Sequence, residues 1–161
     1  FSTIGVVDTY HYANTQDDAG YTANLSVAYD FNVAKVFLAG QYFKDMRYLG
    51  KAAINDTVSG AAVFGNSTAK DGWGINLGAT APAFGGKFYA AVGYMDADHS
   101  DDTAGKLKRY TVSLGYDYSL SKRTLVYAGA GYMHDKYDDF AATTVGSAYN
   151  YGVTAGLVHK F

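Results

Sequence analysis

The sequence predicts an all-β fold, an antiparallel transmembrane β-barrel, on three observations. Apolar residues recur at every second position, short turns alternate with long polar loops, and tyrosines lie eight positions apart on single strand faces. Composition agrees. Apolar residues make up 48 % of the 161 residues and charged ones 17 %, alongside 19 Gly, 16 Tyr and 9 Phe, a profile unlike that of a soluble domain.

About eight strands follow from the period of two. The first, over residues 4–12, leaves its facing ambiguous. The second is clear: Tyr21, Ala23, Leu25, Val27, Tyr29 and Phe31 share one face, and Thr22, Asn24, Ser26, Ala28 and Asp30 the other. Residues 35–43 form a third strand of ambiguous facing, and weaker alternation covers 73–81 and 88–94. A sixth strand sets Tyr110, Val112, Leu114, Tyr116 and Tyr118 against Thr111, Ser113, Gly115, Asp117 and Ser119. The seventh, 124–134, is again ambiguous. The eighth sets Tyr149, Tyr151, Val153, Ala155, Leu157, His159 and Phe161 against Asn150, Gly152, Thr154, Gly156, Val158 and Lys160.

Short turns are expected at 32–34, 83–86 and 120–123, with the single proline, Pro82, at a strand end where no ladder donor is needed. Long polar loops are expected at 13–20, 49–70, 98–107 and 135–147, all on one side. Membrane barrels keep short turns in the periplasm and long loops outside, so both termini should be periplasmic. The chain starts at Phe1 without Met and without a basic and apolar leader, which reads as a processed or truncated start.

Alternation alone does not tell a lipid-facing surface from a soluble core, but aromatic placement helps. Tyr21 and Tyr29 are eight positions apart, as are Tyr110 and Tyr118. At about 3.3 Å per residue and a tilt of about 40°, eight steps span roughly 20 Å, close to the apolar band between the two aromatic girdles of an outer-membrane barrel. The opposite faces, rich in Gly, Ser, Thr, Asn and Asp, are too small and polar for a dry core and should meet water. Asn24, Asp30, Ser113, Asp117, Asn150 and Lys160 are the candidate pore-lining residues. A charge facing hydrocarbon at mid-span costs about 2–4 kcal/mol for Lys or Arg, so charges between the belts should point inward and tune ion selectivity. Lys35, Lys87, Arg109 and Arg123 read as anchors near strand ends.

Other chemistries find little support. The longest apolar stretches, such as 88–95, fall far short of the roughly 18 residues of a membrane helix. There is no Cys, hence no disulfide or thiolate site, and a net charge of -2 with interspersed signs argues against nucleic acid. His11, His99, His134 and His159 lack metal-site spacing. The aspartates at 96, 98, 101, 102, 135, 138 and 139 form no calcium loop and read as solvated loop tips. No nucleophile elbow, phosphate loop or dinucleotide fingerprint occurs, so no enzyme activity, metal or cofactor is expected. Asn-x-Ser/Thr matches at Asn24, Asn55 and Asn66 would matter in a eukaryotic secretory protein, but the first falls mid-strand.

The segment 115–134, two strand-like stretches around a Ser121-Lys122-Arg123-Thr124 turn, and the ending Gly156-Leu157-Val158-His159-Lys160-Phe161 resemble the general bacterial porins. The resemblance covers most of the chain loosely and its last third more closely. It implies a homotrimeric, water-filled barrel of sixteen strands for nonspecific diffusion of small hydrophilic solutes, this chain supplying the last eight strands of one incomplete barrel domain. It also implies outer-membrane lipid and lipopolysaccharide as surroundings, and recognition by the barrel-assembly machinery through a terminal signal of Tyr151, Val153, Leu157 and Phe161. The constriction loop of such porins belongs to the N-terminal half, and the loop over 49–70 matches no role in the family. Two rival readings stand beside this one: a complete eight-stranded outer-membrane barrel with a structural or adhesion role, and a secreted glycan-binding β-barrel.

Overall fold

A computed structural model of the chain describes residues 1–10, 20–45, 69–99, 105–140 and 144–161. Within them lie eight strands: β1 (Ser2–Tyr10), β2 (Gly20–Asp30), β3 (Lys35–Lys44), β4 (Ala69–Ala83), β5 (Gly86–His99), β6 (Gly105–Ser119), β7 (Thr124–Phe140) and β8 (Thr144–His159). They form one antiparallel sheet in sequence order, with β1 and β8 at its two edges. The strands run from 9 to 17 residues, and a tilted transmembrane strand needs about 9–11.

Cross-strand register settles the three segments whose facing the alternation leaves open. Directly opposed residues share a face, and one row runs Gly5, Leu25, Gly40, Ile75, Tyr94, Tyr110, His134 and Tyr149 across all eight strands. The apolar face therefore takes Thr3, Gly5 and Val7 from β1, Val36, Leu38 and Tyr42 from β3, and Val126, Ala128, Ala130 and Tyr132 from β7. Ile4, Val6 and Asp8 of β1 fall on the polar face.

The expected short turns are where the spacing puts them. Phe31 N–H donates to Ala34 O at 2.9 Å, and Asp30 Oδ1 accepts from Asn32 N–H at 2.8 Å, holding Asn32 at φ 70°. Between β4 and β5, Phe84 (φ 49°) and Gly85 (φ 78°) both have positive φ, the pattern of the two-residue turn whose twist matches a hairpin. Phe84 bears a cost there that a glycine would not. The Tyr116 hydroxyl, 3.0 Å from both Ala83 O and Phe84 O, fastens that turn from the next strand. Ser121 and Thr124 close the third turn, with Leu120 N–H donating to Thr124 O at 2.9 Å.

Two of the expected long loops are shorter than expected. β5 and β6 continue through half of 98–107, and β7 and β8 through most of 135–147, leaving 100–104 and 141–143 outside the described residues. Charged residues do not stop these strands, because the register sets Asp98 opposite Lys106 and Asp96 opposite Lys108, pairs that favour the ladder. Residues 11–19 and 46–68 hold most of the other two expected loops, with His11, Asn55 and Asn66, and also lie outside the described residues.

Among the described residues the sheet has no second layer. The buried apolar side chains are Phe43, Ala97 and Leu107, all on the polar face near the long-loop end. Leu25, Leu38, Ile75, Leu77, Val92, Val112 and Leu114 are exposed on the apolar one. A soluble monomer does not leave so broad a contiguous apolar surface in water.

Candidate functional site

The candidate site is the sheet itself, because its two faces differ in chemistry from end to end. On the polar face, Ser113 and Asn150 are exposed and Asn24 is half-buried, its Nδ2 donating to Thr22 Oγ1 at 3.4 Å. The register brings the row Ser113, Gly131, Gly152 beside the row Thr111, Met133, Asn150, and these residues line a shallow depression of 290 Å³. Asp30 and Asp117 lie at the short-turn end, Asp30 opposite Lys35 and Asp117 opposite Lys87. Tyr89 O–H donates to Asp117 Oδ2 at 2.6 Å. Lys160 is exposed just beyond β8, its N–H donating to Arg123 O at 2.9 Å.

Two residues were misplaced by the sequence reading. Arg109 is no strand-end anchor and Asp135 no solvated loop tip: they face each other across β6 and β7 on the polar face. Arg109 Nε meets Asp135 Oδ1 at 2.7 Å and Nη2 meets Oδ2 at 2.8 Å, with the side chains 12 % and 2 % exposed. Planar forks of this kind are the strongest of side-chain ion pairs. Parity held the clue, since Arg109 shares the odd positions of Thr111 and Ser113, but the neighbouring aspartates made Asp135 look like loop.

The polar face also carries more bulk than its Gly, Ser and Thr positions imply. Phe37, Phe43 and Tyr127 stand directly opposite Gly78, Gly72 and Gly156. Each ring fills the space over its glycine: a Cβ on Gly156 would lie 2.5 Å from the Tyr127 ring, and one on Gly72 2.6 Å from Phe43. These contacts let large rings lie flat along the wall where a side chain on the partner strand would push them outward.

On the apolar face the aromatic residues form rows at both ends. At the long-loop end, Tyr21 and Tyr42 are 6.0 Å apart, Trp73 and Tyr94 5.5 Å, Tyr94 and Tyr110 5.2 Å, and Tyr110 and His134 6.4 Å between centroids. Tyr29 and Tyr118 lie at the short-turn end, Tyr29 against Phe31 at 4.6 Å. Tyr42, Trp73 and Tyr94 extend the row beyond the tyrosines picked out by spacing alone. Tyr151, Val153, Leu157 and Phe161 all share this face and are exposed, Phe161 completely so. The His159 ring packs on Phe161 at 4.9 Å and its Nδ1 lies 3.0 Å from Thr124 Oγ1.

Among the described residues no three His, Asp or Glu come together as metal ligands. A family model described as Gram-negative porin matches residues 3–139, from β1 almost to the end of β7. The C-terminal ending, 156–161, lies beyond the matched span. Searches of curated proteins and of solved structures gave no match.

Proposed function

The chain belongs to the Gram-negative porin family, whose members are outer-membrane channels rather than enzymes, and from that premise we propose that it forms part of the wall of a water-filled pore for passive diffusion of small hydrophilic solutes and ions. The observation that carries the reading is, among the described residues, a single-layer sheet with one apolar, aromatic-edged face and one polar face of hydroxyls, amides and opposed charges. Only such a sheet can satisfy hydrocarbon on one side and a water column on the other. In this reading Asn24, Asp30, Ser113, Asp117, Asn150 and Lys160 line the lumen, and Tyr21, Tyr29, Tyr110 and Tyr118 belong to the two girdles.

The edges bear on the rest of the barrel. An unpaired strand edge in hydrocarbon leaves backbone groups unsatisfied at several kcal/mol each. Since among the described residues β1 and β8 each have one hydrogen-bonded neighbour, further strands should close the wall, as in a sixteen-stranded barrel to which this chain gives the last eight. The first and last strands begin and end at the short-turn side, so in this reading, with short turns periplasmic, both termini lie in the periplasm. Trimer assembly, and recognition of Tyr151, Val153, Leu157 and Phe161 by the assembly machinery, complete the proposal.

The test is a planar bilayer. The refolded porin should give discrete conductance steps, and cysteines placed by Ser113→Cys and Asn150→Cys should react with a water-soluble, membrane-impermeant thiol reagent and lower the current. Val112→Cys and Tyr151→Cys, one position away, should not. A folded barrel without conductance, or equal labelling of both parities, would overturn the reading.

A further inference from the structure

Of the three rings that cover glycines on the polar face, Phe43 is buried and Phe37 half-buried, whereas Tyr127 is exposed. The hydroxyl end of Tyr127 stands where a Cβ of the opposed Gly156 would be, so its side chain lies along the wall instead of pointing away from it. Among the described residues no other ring and no cation packs against it. An aromatic surface left open on a polar face is available for stacking.

Polar groups gather beside it. Asp117 stands directly opposite Tyr127 on β6, and Lys87 directly opposite Asp117 on β5. Tyr89 O–H donates to Asp117 Oδ2 at 2.6 Å, and Lys87 Nζ lies 5.9 Å from the Tyr89 ring centroid, a cation–π contact. The tyrosine hydroxyl thus fixes the carboxylate through one oxygen. Among the described residues the other oxygen, Oδ1, accepts no hydrogen bond, and no ion pair joins Asp117 to Lys87. One acceptor and one donor of opposite charge are held side by side with bonding capacity to spare. A row further from the short turns the wall is bare, because Gly115 and Gly129 face each other between Tyr89 and Thr154. An added Cβ on Gly115 would meet nothing closer than 3.7 Å. With strands about 4.8 Å apart, the strand of Tyr89 and that of Tyr127 are roughly 10 Å from each other, room for one six-membered sugar ring.

We infer that this bay binds a pyranose ring of a neutral saccharide, its C–H face on Tyr127 and the bare backbone of Gly129, its hydroxyls on Asp117 Oδ1 and Lys87 Nζ. A saccharide needs all of these together: an apolar surface to stack on, a donor and an acceptor, and no net charge. For a simple ion the opposed Lys87 and Asp117 offset each other, and an aromatic solute would cover them without giving either a hydrogen bond. Tyr89 is a positioning residue that aims the carboxylate. The inference rests on the polar face being the water-filled wall of a pore. Binding should be weak, on the order of millimolar, since conduction requires release.

The probe is maltotriose, with sorbitol as the control that carries hydroxyls but no ring face. Two readouts use the complete folded porin: single-channel current in a planar bilayer, and saturation-transfer NMR in detergent micelles. Maltotriose should interrupt the open-channel current in transient, saturable blocks and receive magnetisation from the porin, and sorbitol should do neither. Tyr127→Ala should weaken the saccharide about tenfold, as loss of a stacked ring implies, and Tyr127→Phe should keep it. Asp117→Asn should weaken it less than Tyr127→Ala does. Gly115→Val, whose methyls fill the bay, should abolish the block. Equal block by sorbitol, block unchanged in both Tyr127→Ala and Gly115→Val, or block by tryptophan in place of maltotriose would overturn the inference. The two readouts separate it from the pore reading: channels that pass maltotriose without saturable block defeat this inference alone, and saccharide binding to a folded barrel without channels defeats the pore.

Discussion

Leu77 and Asn76 are neighbours on β4 that face opposite ways, and an arginine at each should have opposite consequences. Leu77 is 49 % exposed on the apolar face, opposite Leu38 and Val92. It lies four residues from Trp73 at one end and four from Ala81, the partner of Phe88, at the other. Four steps correspond to about 10 Å of depth, which puts Leu77 at the middle of the apolar band. Leu77→Arg should therefore cost about 2–4 kcal/mol and Ala81→Arg, near the interface, about 0–1 kcal/mol. Asn76→Arg points toward water and should change stability by about 0.5 kcal/mol or less. In the folding equilibrium the first figure is about 30- to 1000-fold, well within reach of urea titrations of the porin folding into phospholipid vesicles. Asn76→Arg should instead move the reversal potential under a salt gradient toward anion preference, which Leu77→Arg should leave alone. Equal costs at Leu77 and Ala81 would mean a protein-packed core without depth dependence, and a larger cost at Asn76 would reverse the two faces.

Three further outcomes are expected. Asp135→Asn removes the carboxylate that both Arg109 contacts use at a site 12 % and 2 % exposed, and should lower stability by about 3–5 kcal/mol in the same titration; the double variant with Arg109→Gln should recover part of that loss. Gly156→Val drives a side chain into the Tyr127 ring, at a cost of about 1–3 kcal/mol, and Tyr127→Ala in the same chain should relieve most of it, a coupling that a double-mutant cycle measures. Lys87→Gln leaves Asp117 without its opposed cation and should shift the reversal potential toward cations, while Asp117→Asn should shift it toward anions; no movement in either would take that pair off the water-filled wall.

Strand number and facing were legible because period two survives any solvent: a face meeting lipid and a face meeting water alternate as surely as core and surface do. Tyr21 with Tyr29, and Tyr110 with Tyr118, set the expected span of the apolar band from spacing alone. The segments that stayed ambiguous, 4–12, 35–43 and 124–134, are those whose polar face carries Ile4, Val6, Phe37, Phe43 or Tyr127. Three of these rings lie over glycines on the adjacent strand, an arrangement that exists only once two strands are in register. The Arg109–Asp135 pair was hidden for the same reason. Its members are 26 positions apart, and composition near Asp135 reads as loop until β8 supplies the backbone partners that keep β7 extended.

The charges of the polar face are sorted along the strand as well as across it. On β6 alone, Arg109 and Asp117 stand eight positions apart on one face, so they sit near opposite ends of the band, roughly 20 Å from each other. Between them the described wall is uncharged: Asn24, Ser26, Gln41, Asn76, Thr111, Ser113, Asn150 and Thr154, with glycines in the gaps. At a Debye length of about 8–10 Å the two ends act independently on a passing ion. Within each end the cations face acids directly, Lys35 to Asp30, Lys87 to Asp117 and Arg109 to Asp135. Opposed pairs present a transverse dipole rather than a net charge, so in the proposed pore they would orient a polar solute without rejecting either ion sign. Among the described residues, the polar-face charges outside these pairs are Asp8, opposite Thr22, and Lys160 beyond the end of β8, one of each sign and at opposite ends. In the proposed pore, a wall built this way would sort solutes by cross-section first, with the rings of Phe37, Phe43 and Tyr127, pressed over their glycines, leaving that cross-section open.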